Sequence, residues 1–296
     1  MYNVAGIGEV LYDVYPEGKR LGGAPSNFVF HAVALGLDGV VVSACGRDEL
    51  GAELKADLAE KGMSLRGIAE NDHPTGAVLV SLDSTGVAHY RISEGAAWDY
   101  ITCDETVMKL AEGMDAVCFG SLAQRAEISR NSIRRFLKAT RPDCLRVFDV
   151  NLRLPYYSRE IIEQSLELAN VLKLNEDEII VLKDMFGLSG SEDRQLSELQ
   201  KRFNLRTIAL TKGPKGSTML DDSESHSFAG FPADVIDTVG AGDSFTAAMV
   251  FGLLNGYSLE KTNILASRVA SFVCSRHGAT PSPEESSCIY TELGAL

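Results

Sequence analysis

The chain has 296 residues, 45% hydrophobic and 23% charged, an ordinary globular composition. It is long enough for a substantial core in one elaborated α/β domain or in two domains. Its net charge of −13, with no basic run, argues against a nucleic-acid partner, because phosphate-backbone binding needs clustered Lys and Arg. The six cysteines (Cys45, Cys103, Cys118, Cys144, Cys274, Cys288) form no C-x-x-C pair and the five histidines no H-x-x-x-H, which argues against a zinc site or a disulfide framework. No apolar run approaches the roughly 18 residues of a membrane span. The N-terminal MYNVAGIGEV has no basic leader and starts directly as a strand. A cytoplasmic protein with no membrane partner is expected.

Along the chain, short apolar runs alternate with helix-like segments. VAGIG (4–8), VVVSAC (40–45), AVCFG (116–120), LRVFDV (145–150), VLKL (171–174) and TIAL (207–210) read as buried strands. Candidate helices lie near 25–36, 49–61, 104–112, 126–139, 158–169 and 175–185. Such alternation predicts a parallel sheet covered on both faces. Two stretches break it. Residues 10–21 carry strand-like residues around a Pro-Glu-Gly turn, and residues 75–92 alternate apolar and polar around Ser84-Thr85-Gly86, a hairpin pattern. A small antiparallel sheet projecting from the main domain is expected from these two segments. There is no internal repeat, and residues 258–277 read as one long helix ended by Gly278.

The stretch DTVGAGDSF (237–245) sets Gly240, Ala241 and Gly242 before an acid at a predicted helix start. Free N–H groups and the positive helix end suit an anion there, and small residues permit close approach. Asp243 as a plain N-cap is the rival reading. G6-I-G8-E-V lacks the third glycine and the following helix of a dinucleotide fingerprint, and no phosphate-binding P-loop motif occurs. RLGGAPSN (20–27) opens a helix with Pro25 and offers Asn27 to a hydroxyl, beside Asp13, which is otherwise an ordinary solvated acid. LKLNEDEI (172–179) places Asn175 and Glu178 at a strand end, as a capping box or as a hydrated Mg²⁺ site. ALTKGPKGS (209–217) ends a strand with Gly213 and Gly216, fit for phosphates or for a hairpin. FDVNLR (148–153) ends another with Asn151 and Arg153. Ligands of open α/β sheets bind at the carboxyl ends of strands, where all of these motifs fall.

Taken together, GGAPSN, LG and CGRDELG (within 22–51) and DTVGAGDSFTAA (237–248) resemble the two signatures of the ribokinase-like (PfkB) carbohydrate kinases. GEVLYD, NLR, NEDE and TKGPKGS follow in the same order and spacing, so the resemblance covers essentially the whole chain. Within that family YPEGKRLGGAPSN, FGSLAQR and FDVNLR look most like bacterial fructokinases. The resemblance implies a doubly wound, mainly parallel α/β sheet in residues 1–9, 23–72 and 100–296, with a β-sheet lid from 10–22 and 73–99. It implies Asp243 as general base, and Gly240, Ala241 and Gly242 as an anion hole for the phosphoryl group in flight. Asp13, Gly23 and Asn27 would bind sugar hydroxyls, with Arg91 and Arg153 bordering the substrate. Asn175, Thr211, Gly213 and Gly216 would follow the ATP, with Glu178 organising Mg²⁺ through water.

Relatives often carry Asn one residue after an Ala near the adenine. Here Ala266 is followed by Ser267, which takes that place. Some relatives bind a monovalent cation such as K⁺ near Asp237 and the loop after Gly278, and a homodimer joined through the lid is a further expectation. The substrate expected is fructose. Arg91 and Arg153 match positions that bind the carboxylate in 2-keto-3-deoxygluconate kinases, which is the alternative. A sugar-binding regulator without catalysis is the rival of another class.

Overall fold

The computed structural model describes residues 1–82, 88–153, 155–282, 285 and 290; the expected turn at Ser84-Thr85-Gly86 and Cys288 lie outside the described residues. β1 (Asn3–Ile7) leads into the hairpin β2 (Leu11–Tyr15) and β3 (Gly18–Gly22), then α1 (Ala24–Ala34), β4 (Asp38–Gly46), α2 (Glu49–Glu60) and β5 (Ile68–Asn71). A second pair, β6 (Gly76–Leu82) and β7 (Ala88–Ile92), precedes α3 (Glu105–Glu112), β8 (Ala116–Phe119), α4 (Glu127–Ala139) and β9 (Leu145–Asp149). There follow α5 (Arg159–Leu168), β10 (Val171–Asn175), α6 (Glu176–Phe186), α7 (Glu192–Phe203), β11 (Thr207–Thr211), β12 (Ser217–Asp221) and β13 (Ser225–Phe228). α8 (Ala241–Leu254) and α9 (Leu259–Cys274) close the order.

A nine-stranded sheet runs β13-β12-β11-β10-β9-β8-β1-β4-β5, parallel except where β12 and β13 pair antiparallel at one edge. Side chains alternate across a strand, and this sheet uses both faces. Ile7, Val42, Phe119, Phe148, Leu172 and Ile208 enter one buried cluster, whereas Val4, Val41, Cys118, Val147, Val171 and Ala209 enter the other. Leu182 and Leu196, from α6 and α7, join the first cluster; Phe28, Leu54, Met249 and Val269, from α1, α2, α8 and α9, join the second. This is the doubly wound α/β architecture expected, with the ribokinase-like order of elements.

The smaller sheet runs β3-β2-β6-β7. Two antiparallel hairpins meet through a parallel β2–β6 pair, with Asp13 opposite Val78. Leu11, Val78 and Val80 form its own apolar cluster, while Leu79 points outward opposite Arg91. The chain returns to the large sheet through a short turn of 3₁₀ helix at Ala97–Tyr100, and Ala96, Ala97 and Trp98 already pack in the main core. Trp98 is fully buried there. The Arg125 guanidinium lies 4.0 Å over its ring, bonds both oxygens of Asp99 and reaches the Ser93 carbonyl at 2.6 Å. Gly76, the first residue of β6, abuts the same ring: a Cβ there would stand 2.4 Å from Trp98 Nε1.

Two details differ from the sequence expectation. The last helix stops at Cys274, not 277; Gly278 (φ +74°) is not its cap but a turn whose N–H donates to Asp237 Oδ2 at 2.9 Å. α7 was not expected, because EDRQLSELQKRF is so polar that only Leu196 and Leu199 enter the core.

Candidate active site

α8 starts on Gly240, whose φ of +78° and whose neighbour Ala279 (a Cβ would meet it at 2.6 Å) leave room for glycine alone. Asp243 is therefore the third residue of the helix and not its cap. Its Oδ2 accepts a hydrogen bond from Asn27 Nδ2 at 2.8 Å, which carries α1 to the same point. Burial, and then the charge of Asp149, push its pKa up to about 6 against the pull of Asn27, Lys173 and Arg153. Under the same helix start, buried Lys173 and Asp149 pair at 3.1 Å, and Thr246 Oγ donates to Asp149. Burial alone would lower Lys173, but Asp149, Glu178 and Asp243 hold its pKa above the ordinary value. Gly242 makes room for that ammonium: a Cβ would sit 2.8 Å from Lys173 Nζ.

α1 repeats the pattern. Its cap is Gly23 (φ +105°), where a Cβ would strike the Glu9 carbonyl at 2.5 Å. Asn27 is buried with its Oδ1 unpartnered. Glu9, directly after β1, is also buried; burial and the charge of Asp243 push it up to about 7, opposed by its own and Ala24's N–H groups and by Arg153. On β2, Asp13 is pushed up to about 6 by burial and Asp237, opposed by Arg153 and Arg20. Thus Asp13, Gly23, Asn27, Arg153, Asp243 and its loop converge on one place. Arg153 is exposed, and among the described residues its guanidinium donates to the Leu152 carbonyl at 3.0 Å. Arg91, exposed on β7, makes none of these contacts.

The neighbouring half holds the other expected residues. Asn175 caps α6 through Oδ1, and Glu178 returns the bond: its Oε2 accepts the Asn175 N–H at 2.8 Å and its Oε1 the Leu152 N–H at 3.1 Å. Thr211 ends β11 with its hydroxyl toward the Leu174 carbonyl at 3.4 Å. Gly213 (φ +54°) faces open space, whereas Gly216 (φ +93°) is needed for strand pairing, since a Cβ would come within 1.9 Å of the Phe228 carbonyl. Ser267 is buried, 3.0 Å from Ser217 Oγ. Asp237 accepts the Val239 and Gly278 N–H groups and faces the Arg20 guanidinium at 3.5 Å. Beside the loop that leads to α8 lies a cavity of about 690 Å³ lined by Phe231, Asp234, Ile236, Arg268 and Phe272. Among the described residues no group of three or more His, Cys, Asp or Glu is placed to hold a metal.

Glu9, Asp149 and Lys173 belong to this centre and were not singled out from the sequence, although GEVLYD and FDVNLR contain two of them. A lone acid or lysine after a strand has no local signature. Packing from three other elements makes it chemical.

The chain matches the model of the pfkB family carbohydrate kinases over residues 8–286. It is 28% identical to a sugar kinase of Pyrococcus horikoshii, over 95% of this chain and 93% of that protein. A crystal structure of that kinase with ATP superposes with a TM-score of 0.84 at 26% identity, covering 99% of each chain. The chain is likewise 28% identical to a fructokinase of Escherichia coli, over 92% of this chain and 93% of that protein. The 2-dehydro-3-deoxygluconokinase of Thermotoga maritima shares the fold, with a TM-score of 0.82 at 18% identity over 98% of this chain and all of that one.

Proposed function

Because the chain belongs to the pfkB family of carbohydrate kinases, we propose that it transfers the terminal phosphoryl group of ATP to a hydroxyl of a small neutral sugar, fructose above all. The observation that carries this reading is Asp243 in the first turn of α8, held by Asn27 and wedged against the Asp149–Lys173 pair. Its carboxylate takes the proton of the acceptor hydroxyl as that oxygen bonds to the terminal phosphorus and the bond to ADP breaks. The negative charge on the phosphoryl oxygens falls at the helix start, where the first-turn N–H groups of Gly242 and Asp243 lack intrahelical acceptors and that of Ala241 reaches only the Thr238 carbonyl, at 3.3 Å.

Mg²⁺ would arrive with the nucleotide and neutralise phosphate charge. Glu178 and Asn175 would meet it through water, because both Glu178 oxygens already accept backbone N–H groups. The cavity flanked by Phe231, Ile236 and Phe272 suits a flat base, with Arg268 in its wall. Ser267 lies beneath that wall and not in it. The reading includes no monovalent cation, since Asp237 already faces Arg20. Names of relatives support a fructokinase, as does Asp13, an acceptor for hydroxyls that repels a carboxylate.

The second reading, a 2-keto-3-deoxygluconate kinase, is favoured by Arg153, whose guanidinium stands exposed among Glu9, Asp13 and Asp243 and could grip a carboxylate. A panel of sugars with ATP and Mg²⁺, read as ADP release, tests both. Fructose turnover above all others is expected. Turnover of no sugar would sink the kinase reading.

A further inference from the structure

Two carboxyl groups, those of Asp243 and Glu9, are buried near the start of α1, and one of them holds the Asn27 amide. Its Nδ2 is committed to Asp243 at 2.8 Å, so its Oδ1 turns the other way, sealed from solvent and without a donor. Glu9 presents the matching problem. Its carboxyl lies near the start of α1, close enough to feel the Ala24 N–H, and its Oε2 is sealed and unpartnered. Asn27 follows Ala24 by one helical turn, and helical side chains lean back toward the N-terminus, so its amide hangs over the turn that Glu9 occupies. Two buried acceptor oxygens without a donor are costly. A protonated carboxyl is a donor, and it satisfies both at once.

We propose that Glu9 is a positioning residue: as the neutral acid it donates from Oε2 to Asn27 Oδ1 and so fixes the amide with Nδ2 on Asp243. The reverse arrangement, Nδ2 on Glu9 and Oδ1 on Asp243, would place the proton on Asp243 and remove the base. Among the charged and titratable groups around Glu9, Asp243 on α8 disfavours a second charge and Cys118 on β8 is a buried neutral thiol; the exposed Arg153 and the N–H groups of Glu9 and Ala24 oppose, and burial outweighs them. Lys173 is occupied by Asp149. Burial accordingly pushes Glu9 up to about 7.

The bond stands on geometry, and its catalytic meaning rests on Asp243 as the base. The test uses the full chain, wild type and Glu9→Gln, with ¹³C-labelled glutamate carboxyls followed by NMR against pH. The Glu9 resonance, identified by its loss in Glu9→Gln, is expected to titrate near 7, about two units above an ordinary glutamate. Titration in the ordinary range overturns the proposal, whatever substrate the enzyme uses. Kinetics then test the consequence. Glu9→Gln keeps a donor and should retain kcat within about threefold while losing the alkaline fall of kcat/KM that ionisation of Glu9 imposes on the wild type. Glu9→Met keeps the bulk and not the donor, and should lower kcat by about tenfold. Equal losses in the two variants, or an unchanged alkaline limb in Glu9→Gln, refute the positioning role. Absence of any sugar turnover would refute the kinase reading, and the NMR titration would still decide whether the Glu9–Asn27 bond exists.

Discussion

Asp243 carries opposite obligations, to catalysis and to stability. Asp243→Asn keeps shape and the contact with Asn27 but cannot take a proton. A positioned general base contributes about 10²–10⁴-fold, so kcat should fall by that order while sugar and ATP affinities change little. Near-normal kcat would remove the assignment. With its pKa pushed up to about 6, the wild-type rate should decline as pH drops through 6. The stability effect has the other sign. Between the unfolded value near 4 and the folded value near 6 the native state binds more protons, so Asp243 destabilises the fold progressively as pH rises through that window. Asp243→Asn should melt a few degrees higher than wild type at pH 8, a gain on the order of 1 kcal/mol, and the difference should shrink below pH 4. Thermal melts at the two pH values decide it. That Asp243 and its small-residue loop stand at a helix start was legible in the sequence, because three small residues before an acid are a local pattern. Glu9, Asp149 and Lys173 were not, because burial and partners on other strands create their properties.

Helix starts differ in their caps, and α4 starts on Ala126 with no side-chain cap. α2, α3, α5, α6, α7 and α9 are capped by side chains of Asp48, Asp104, Ser158, Asn175, Ser191 and Ser258. α1 and α8, at the centre, begin on Gly23 and Gly240 with no side-chain cap; Pro25 has no N–H and Ala241 donates to the Thr238 carbonyl at 3.3 Å, which leaves Gly242 and Asp243 as the first-turn donors of α8 without an intrahelical acceptor. Gly240→Ala is expected to cost about 1–3 kcal/mol through backbone strain and to lower kcat as well, since the helix start must shift from Ala279. Ser258→Ala should cost about 1 kcal/mol with kcat unchanged. If Gly240→Ala were fully active, the open helix start would have no part in transfer. Glu178 tests a third case. Gln is accepted in a capping box, so Glu178→Gln should lose less than about 1 kcal/mol while needing more Mg²⁺ for half-maximal rate. An earlier melt with an unaltered Mg²⁺ titration would leave Glu178 only its cap. Most elements were readable from apolar runs. The end of α9 was not, because Gly278 looks like a helix stop but serves Asp237.

For the molecule as a whole, the small sheet is a separate body of four strands with its own apolar cluster, built from two segments and anchored where Arg125 clamps Ser93, Asp99 and Trp98. Arg91 lies on it and Arg153 on the core, so a charged substrate would need the two brought together. We expect a higher kcat/KM for fructose than for 2-keto-3-deoxygluconate, and only a modest loss with fructose in Arg91→Ala. A wild-type preference for the keto acid that collapses in Arg91→Ala would reverse the substrate assignment. The anchor has an optical consequence. Trp98 is the chain's only tryptophan, and it lies between the first residue of β6 and the guanidinium that holds the strand's return. Its indole emission therefore reports on the junction between the small sheet and the main core. Any rotation of that sheet over a sugar must slide Gly76 or Arg125 along the indole ring. The protein carries a built-in fluorophore at that junction, and if the small sheet closes over a sugar, titrating sugar into the unlabelled enzyme should shift or quench the tryptophan band.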